Sequence, residues 1–261
     1  MRMCSCRGTA GFAHVSCLAE QAKILAAEAE ENNYLFGTER GNSNWTRWHT
    51  CSLCKQEYHG VVPCALGWAC WKTYVGRPEE DQVRMMATGQ LGNGLLVGHQ
   101  YEAALLVKEA ELSMARRLGA SERRLLDIQS NLSTAYGQLG RLEQSLRIQR
   151  DVYSGWLKLN GEEHRSTLVA VLNYALTLTD LQRFEEVKSL LRKTIPVARR
   201  VLGESNDVTL KMRLNYAITL YKDDGATLDN LREAVETLKD TERIARLSQA
   251  KLAAREPLRC A

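Results

Sequence analysis

Six side chains near the start of this chain have the types and spacing of metal ligands: Cys4-x-Cys6, His14-x2-Cys17 and Cys51-x2-Cys54. Thiols one or two residues apart in a tight turn can reach one ion, and a His and a Cys at i and i+3 share a helix face. Tetrahedral zinc takes such a set, so the expected chemistry is structural metal binding with zinc as cofactor and no catalytic residue. Seven of the eight cysteines and four of the five tryptophans fall within the first 71 residues, which separates this segment in composition from the rest. No apolar run is long enough for a secretory signal core or a membrane span, which predicts a cytoplasmic or nuclear chain and no membrane partner. In that reducing setting clustered cysteines point to metal rather than to disulfides.

The elements that must carry these residues and whatever follows them are helical. Gly119, Gly161 and Gly203 stand 42 residues apart, each in a turn-like loop before a run of the same apolar and polar pattern. Leu126, Leu168 and Leu210 share one position of the repeat, Asn131, Asn173 and Asn215 a second, and Ser133, Ala175 and Ala217 a third that is always small. Leucines at these spacings give one apolar face, and a small residue at a fixed position lets a neighbouring helix come close. Each unit reads as a helix, a short turn and a longer antiparallel helix: 124–139 with 142–159, 166–180 with 184–202, 208–222 with 228–247, and an earlier degenerate pair, 79–96 with 101–118. The fold class expected is therefore mainly α, an α-solenoid of antiparallel helix pairs with a small zinc-finger-like module before it. The boundaries expected are 1–60 for the module, 61–78 for a connecting apolar helix, 79–247 for about four repeats and 248–261 for an irregular tail.

Single residues refine this picture. Tyr136, Tyr153, Trp156, Tyr174, Phe184 and Tyr216 are expected to pack between helices, and Pro196 to interrupt and kink its helix. His164 falls in an inter-repeat loop with no catalytic partner in view. Gly89, Gly92, Gly94 and Gly98 are too irregular to cradle a phosphate and are expected to weaken the first repeat's helix. The net charge of +4 is mild, and basic and acidic residues alternate without forming a stripe, so no nucleic-acid partner is indicated. The phosphate-loop lysine motif, the nucleophile elbow and the dinucleotide glycine fingerprint are all missing from the sequence.

The segments SNLSTAYGQLGRLEQSL, VLNYALTLTDLQRFEEV and LNYAITLYKDDG, with the inter-repeat signatures LNGEEHRSTL and LGESNDVTL, resemble tetratricopeptide repeats, and most closely the 42-residue variety of kinesin light chains. The resemblance covers residues 79–245. It implies a groove that binds peptides or partner proteins, in which the first-helix asparagine bonds the backbone of a bound peptide. Carried over, that role falls to Asn131, Asn173 and Asn215, whereas the first unit has Gly89 near this register. The alternative reading, that these asparagines bond their own repeat's backbone, stays open.

The phrases CSCRGTAGFAHVSCL and WHTCSLCKQEY resemble the middle and closing parts of the RING-CH, or RING-variant, zinc finger. That family cross-braces eight ligands, so the resemblance implies one zinc on Cys4, Cys6, Cys51 and Cys54. His14 and Cys17 become half of a second site, whose opening C-x2-C pair would lie upstream of Met1. Cys64, Cys70, His49 and His59 are poorer candidates to complete it, because PCALGWACWKTY reads as an apolar helix with its cysteines as small hydrophobes. A vestigial finger without metal is the other reading. RING-type domains recruit a ubiquitin-conjugating enzyme, which the resemblance adds as a second partner, but the family's tryptophan falls near Gln21 here. Two functions follow: a non-enzymatic scaffold binding proteins or peptides in a repeat groove beside a structural zinc module, or a ubiquitin-ligase-like protein whose repeats select substrate.

Overall fold

The 42-residue period is realised as successive helix pairs. This computed structural model describes residues 14–32 and 44–255. Among them are ten α-helices: α1 (Val15–Glu31), α2 (Val62–Tyr74), α3 (Gln82–Val97), α4 (Tyr101–Arg117), α5 (Glu122–Gln138), α6 (Leu142–Asn160), α7 (Arg165–Asp180), α8 (Phe184–Leu202), α9 (Asp207–Lys222) and α10 (Leu228–Arg255). A short 3-10 turn, Thr46–Trp48, and a single antiparallel bridge between Thr50 and Glu57 lie between α1 and α2. The mainly α, TPR-like fold class expected from the period is the one observed, with α3 to α10 as four consecutive pairs. None of the described helices is long and apolar enough to cross a membrane.

The chain divides into two compact units that part between Ala135 and Tyr136, inside α5. In the first unit, α1 packs on α2 and α2 on α3, while α3 and α4 form an antiparallel pair. Ala22, Ala26 and Ala29 of α1 are fully buried against Trp45, Trp48, Cys70, Tyr74 and Val83. Trp45, Trp48 and Tyr74 make three mutual ring contacts at 5.9–6.5 Å, so the tryptophans that form this core lie before α2. Trp68 on α2 is 38% exposed and meets Trp71 edge to face. Arg77 adds a two-pronged pair to Glu30 at 2.6 and 2.8 Å and lies over the Tyr74 ring, fixing the end of α1.

α2 is no loose connector, because glycines let its backbone lie directly on α3. A Cβ on Gly94 would meet the Pro63 carbonyl oxygen at 2.4 Å, and one on Gly67 would meet the Gln90 carbonyl oxygen at 3.1 Å. A Cβ on Gly98 would come within 2.9 Å of the Cys64 side chain. These glycines do not break α3, which runs unbroken through Gly89, Gly92 and Gly94 from a strong start at Asp81, whose carboxylate accepts from the Val83 and Arg84 amides. The helix expected to be weakened by these glycines is continuous, and their surroundings give them a packing role between helices.

In the second unit, α7 packs against α6, α8 and α9, and α9 against α8 and α10. Leu168, Val171, Leu172, Ala175 and Leu178 of α7 share one core with Val187 and Leu191 of α8 and Met212, Tyr216 and Leu220 of α9. The small residues Ala175 and Ala217 are fully buried, as close first-helix packing requires. The loops repeat as faithfully as the helices. Gly161 and Gly203 close α6 and α8 at φ +79° and +93°, a conformation open to glycine. Thr167 and Thr209 then each donate a hydroxyl to a carbonyl 11 residues back, of Trp156 and of Ala198. His164 caps α7 by accepting from the Ser166 amide, as Asn206 caps α9 at Val208. Two expectations are corrected. α8 continues across Pro196 without interruption, and the tail expected to be irregular from residue 248 is helical through Arg255, since AKLAAR is made of strong helix formers.

Candidate functional site

In the second unit the first helices α7 and α9 lie side by side, and burying one stripe of each leaves another in solvent. On α7 the exposed residues of that stripe are Leu176 and Asp180, with Asn173 half-buried beside them, and on α9 they are Lys211, Leu214 and Tyr221. Leu176, Leu214 and Tyr221 are 41%, 43% and 48% exposed, so large apolar groups stand beside amide and charged ones without a partner helix over them. Tyr153 and Tyr174 stack at 6.2 Å, and Trp156 and Tyr216 are buried, in keeping with a packing role for these aromatics.

The repeat asparagines divide by position. Asn131 and Asn173 are half-buried, whereas Asn215 is 2% exposed. The Asn215 side-chain oxygen accepts from the Thr179 hydroxyl at 2.9 Å, tying α9 to α7, while its amide nitrogen has no partner among the described residues. Bonding across repeats is a third role beside the two open from sequence. Position 137, the equivalent of Thr179 one repeat earlier, is a glycine, so the bond that Thr179 makes to Asn215 is not repeated there. Asn131 donates to the Asn93 side-chain oxygen at 3.3 Å.

The first unit holds a site that the sequence did not announce. Lys108 and Glu111 of α4 are 1% and 4% exposed, and the lysine Nζ donates to Glu111 at 2.8 Å and to the Gly89 carbonyl at 3.1 Å. Arg124 of α5 approaches the other Glu111 oxygen at 3.6 Å. Gly89 and Gly92 make room for this pair: a Cβ on either would meet the Glu111 carboxylate at 2.8 Å or the Lys108 Cε at 2.6 Å. Burial pulls the Lys108 ammonium below its usual range, and the Glu111 carboxylate opposes this. The ion pair floors a cavity of about 290 Å³ walled by Trp45, His49, Asn93, Asp127 and Asn131. His49 is held below its ordinary range by burial, against the pull of Glu57 and a hydrogen bond to the Gln90 side chain. Gln90 also donates to the Trp48 carbonyl at 3.3 Å.

Of the six metal-ligand candidates, Cys4 and Cys6 lie outside the described residues. Cys51 and Cys54 sit on a tight hairpin: the Cys51 amide donates to the Gln56 carbonyl at 2.9 Å, the Lys55 amide to the Cys51 carbonyl at 3.1 Å, and Lys55 adopts φ +58°. His14 and Cys17 open α1, both exposed, and Val15 and Leu18 beside them pack on the hairpin cluster of Cys51, Tyr58, Val62 and Leu66. No three His, Cys, Asp or Glu side chains among the described residues gather closely enough to hold an ion. The described part therefore places two thiols, Cys51 and Cys54, on one hairpin. Cys64 and Cys70 are buried on α2, where burial raises both thiols, as befits small hydrophobes and not ligands.

Comparison with known proteins agrees with the repeat geometry. A tetratricopeptide-repeat family model matches residues 125–166, one full period. No curated protein sequence matches the chain. Among solved structures, the nearly identical TPR-like repeats of a Podosopora anserina kinesin light chain are similar at 16% identity and a TM-score of 0.59, over 92% of this chain and 99% of that one. BtubC (BKLC) from P. vanneervenii is similar at 13% identity and a TM-score of 0.58, over 94% of this chain and 84% of its own. These likenesses show the fold: repeats of tetratricopeptide type with kinesin-light-chain-like neighbours.

Proposed function

We propose that this protein is a non-enzymatic scaffold that holds a peptide or partner protein on the exposed face of its first helices. The observation that carries the reading is the set of exposed apolar groups on the adjoining helices α7 and α9, Leu176, Leu214 and Tyr221, with Asn173 half-buried one turn before Leu176. An amide can bond an extended backbone while neighbouring apolar groups take alternate side chains, and a repeat fold presents such faces in register. Asn131 would serve likewise from the first unit. Asn215, buried and already bonded to Thr179, would serve mainly to hold α9 against α7.

Asn173→Ala combined with Leu214→Glu should abolish specific capture. Partners retained by the wild-type chain and identified by mass spectrometry should drop at least about ten-fold with the variant, since interface positions of this kind contribute about 1–2 kcal/mol each. Circular dichroism should be unchanged, because Leu214 is exposed and Asn173, half-buried, is no part of the apolar core. Equal retention of the same partners by both chains would overturn the reading.

We further infer that Cys51 and Cys54 bind zinc together with Cys4 and Cys6. The hairpin around Lys55 and the pairing of thiols support it, and a structural zinc contributes on the order of 10–16 kcal/mol in small fingers. Purified, chelator-washed protein should carry a single zinc by elemental mass spectrometry, and Cys51→Ser with Cys54→Ser should lose it. Two zincs would mean that His14 and Cys17 find further ligands, and none would leave the repeats as the sole functional part.

A further inference from the structure

The pair α9 and α10 repeats the pair α7 and α8, but one of its faces is left open. Leu191, Thr194, Val197, Ala198 and Arg199 of α8 are matched 47 residues on by Leu238, Thr241, Ile244, Ala245 and Arg246 of α10. On this register α9 shows what such a face accepts, because α9 lies against both members of the pair before it. Leu191 and Ala198 of α8 are fully buried and share a core with Met212, Tyr216 and Leu220 of α9. Lys188 donates to Asp223 just past the end of α9, Arg192 donates to the Tyr216 hydroxyl, and the Ala198 carbonyl accepts from the Thr209 hydroxyl. The matching positions on α10 are uncovered. Val235, in the place of the buried Lys188, is 48% exposed, Leu231 and Glu242 are exposed, and Leu238 and Ala245 are half-buried. The first helices agree: Leu172 of α7 is buried, whereas Leu214, one period later on α9, is exposed, as is Tyr221 in the place of Thr179. A repeat face that stays in solvent is normally polar, so an apolar one marks a contact. Among the described residues no further helix covers it.

We infer that this face of α9 and α10 takes an amphipathic helix of a partner protein, seated as α9 is seated on α7 and α8. Its apolar residues follow the spacing of Val208, Met212, Tyr216 and Leu220, and it carries an acceptor against Lys239, which stands where Arg192 meets Tyr216. Val235, in the place of Lys188, asks for an apolar residue where α9 is followed by Asp223. A helix laid in an apolar groove is read through anchors spaced a turn apart. The inference rests on the reading that partners meet the chain at Leu214 and Tyr221, and adds that the partner segment is helical and that α10 completes its seat.

The probe is a labelled synthetic peptide of residues 206–222, with Asn215→Ala to leave room for Tyr221 where α9 meets the smaller Thr179. Titrated into the full chain and followed by fluorescence anisotropy, it should bind at least about ten-fold more tightly than a peptide of the same composition in scrambled order. Leu231→Glu with Val235→Glu should weaken it about ten-fold or more, and Lys239→Ala about three-fold. Melting temperatures should stay near wild type, because all three side chains are exposed. Equal binding of the two peptides, no binding of either, or affinity indifferent to the substitutions on α10 would overturn the assignment. So would sedimentation equilibrium showing a wild-type dimer that Leu231→Glu with Val235→Glu dissolves, since a second copy would then hold the face. The partner reading itself is decided separately, by partner retention on the Asn173 and Leu214 variant: loss there, with a peptide here that ignores α10, sinks the helix seat alone.

Discussion

Gly94→Ala should unfold the contact between α2 and α3, although in an isolated helix the same change is favourable. Alanine is the better helix former by about 1 kcal/mol. Here its methyl would sit 2.4 Å from the Pro63 carbonyl oxygen and 3.1 Å from the carbonyl carbon, and both atoms belong to a backbone that cannot rotate away. α2 would have to lift, exposing Leu66, Cys70 and Tyr74, which are at most 4% exposed. Overpacking of this kind costs about 1–3 kcal/mol after the propensity gain is offset. The loss should appear as faster amide exchange confined to α2 and α3 and as a melting temperature lower by several degrees. Gly76→Ala, with nothing within 4 Å of the new methyl, is the control and should melt at the wild-type temperature or slightly above it. A Gly94 variant with wild-type exchange in α2 would mean that the helices can separate at no cost.

Why the period was so legible, and the glycines were not, follows from what each depends on. Helix existence and turns are local: Leu168 and Leu210, Ala175 and Ala217, and Gly161 and Gly203 carry their meaning in spacing alone, and α8 begins and ends where the pattern places it. Gly94 and Gly92 carry theirs in what faces them, Pro63 from 31 residues earlier and Lys108 from 16 later, which no helical pattern encodes. Read along one helix they are weak formers. In the folded chain they are the positions at which a backbone and a buried ion pair come close.

The candidate site divides along the same line. That Asn131, Asn173 and Asn215 share a register was plain, but their unequal exposure was not, nor was the bond that Thr179, 36 positions earlier, makes to the Asn215 oxygen, where the residue 36 before Asn173 is Gly137. The cysteine spacing pointed to metal, and the hairpin at Cys51 and Cys54 is compatible with it, while the partners expected for them, Cys4 and Cys6, lie outside the described residues. A lysine and a glutamate three residues apart, Lys108 and Glu111, look like an ordinary solvated helix pair. A signal did exist in the glycines opposite them on α3, whose irregular spacing matches the side chains of α4 and no motif.

That buried pair makes the second large prediction. Glu111→Ala leaves Lys108 at 1% exposure with the Gly89 carbonyl at 3.1 Å to accept from it, and leaves Arg124 without the Glu111 carboxylate. Removing one partner of a buried pair costs about 3–5 kcal/mol, because the remaining charge keeps its desolvation cost without compensation. Replacing both, as Lys108→Met with Glu111→Leu, should return stability to within about 1 kcal/mol of wild type, since apolar groups of similar volume need no counter-charge. The pH dependence separates electrostatics from a simple cavity. Burial already lowers the Lys108 pKa from 10.5, and Glu111 is what opposes the shift, so the alanine variant lowers it further. Between the folded and unfolded values the unfolded chain holds more protons, so stability rises with pH and the cost is full below the folded value. The Glu111→Ala chain should therefore regain stability toward alkaline pH more steeply than wild type, while the double variant shows no such gain. Parallel pH profiles for all three chains would show that Lys108 holds its proton equally in the folded and unfolded chains, so that the loss comes from packing.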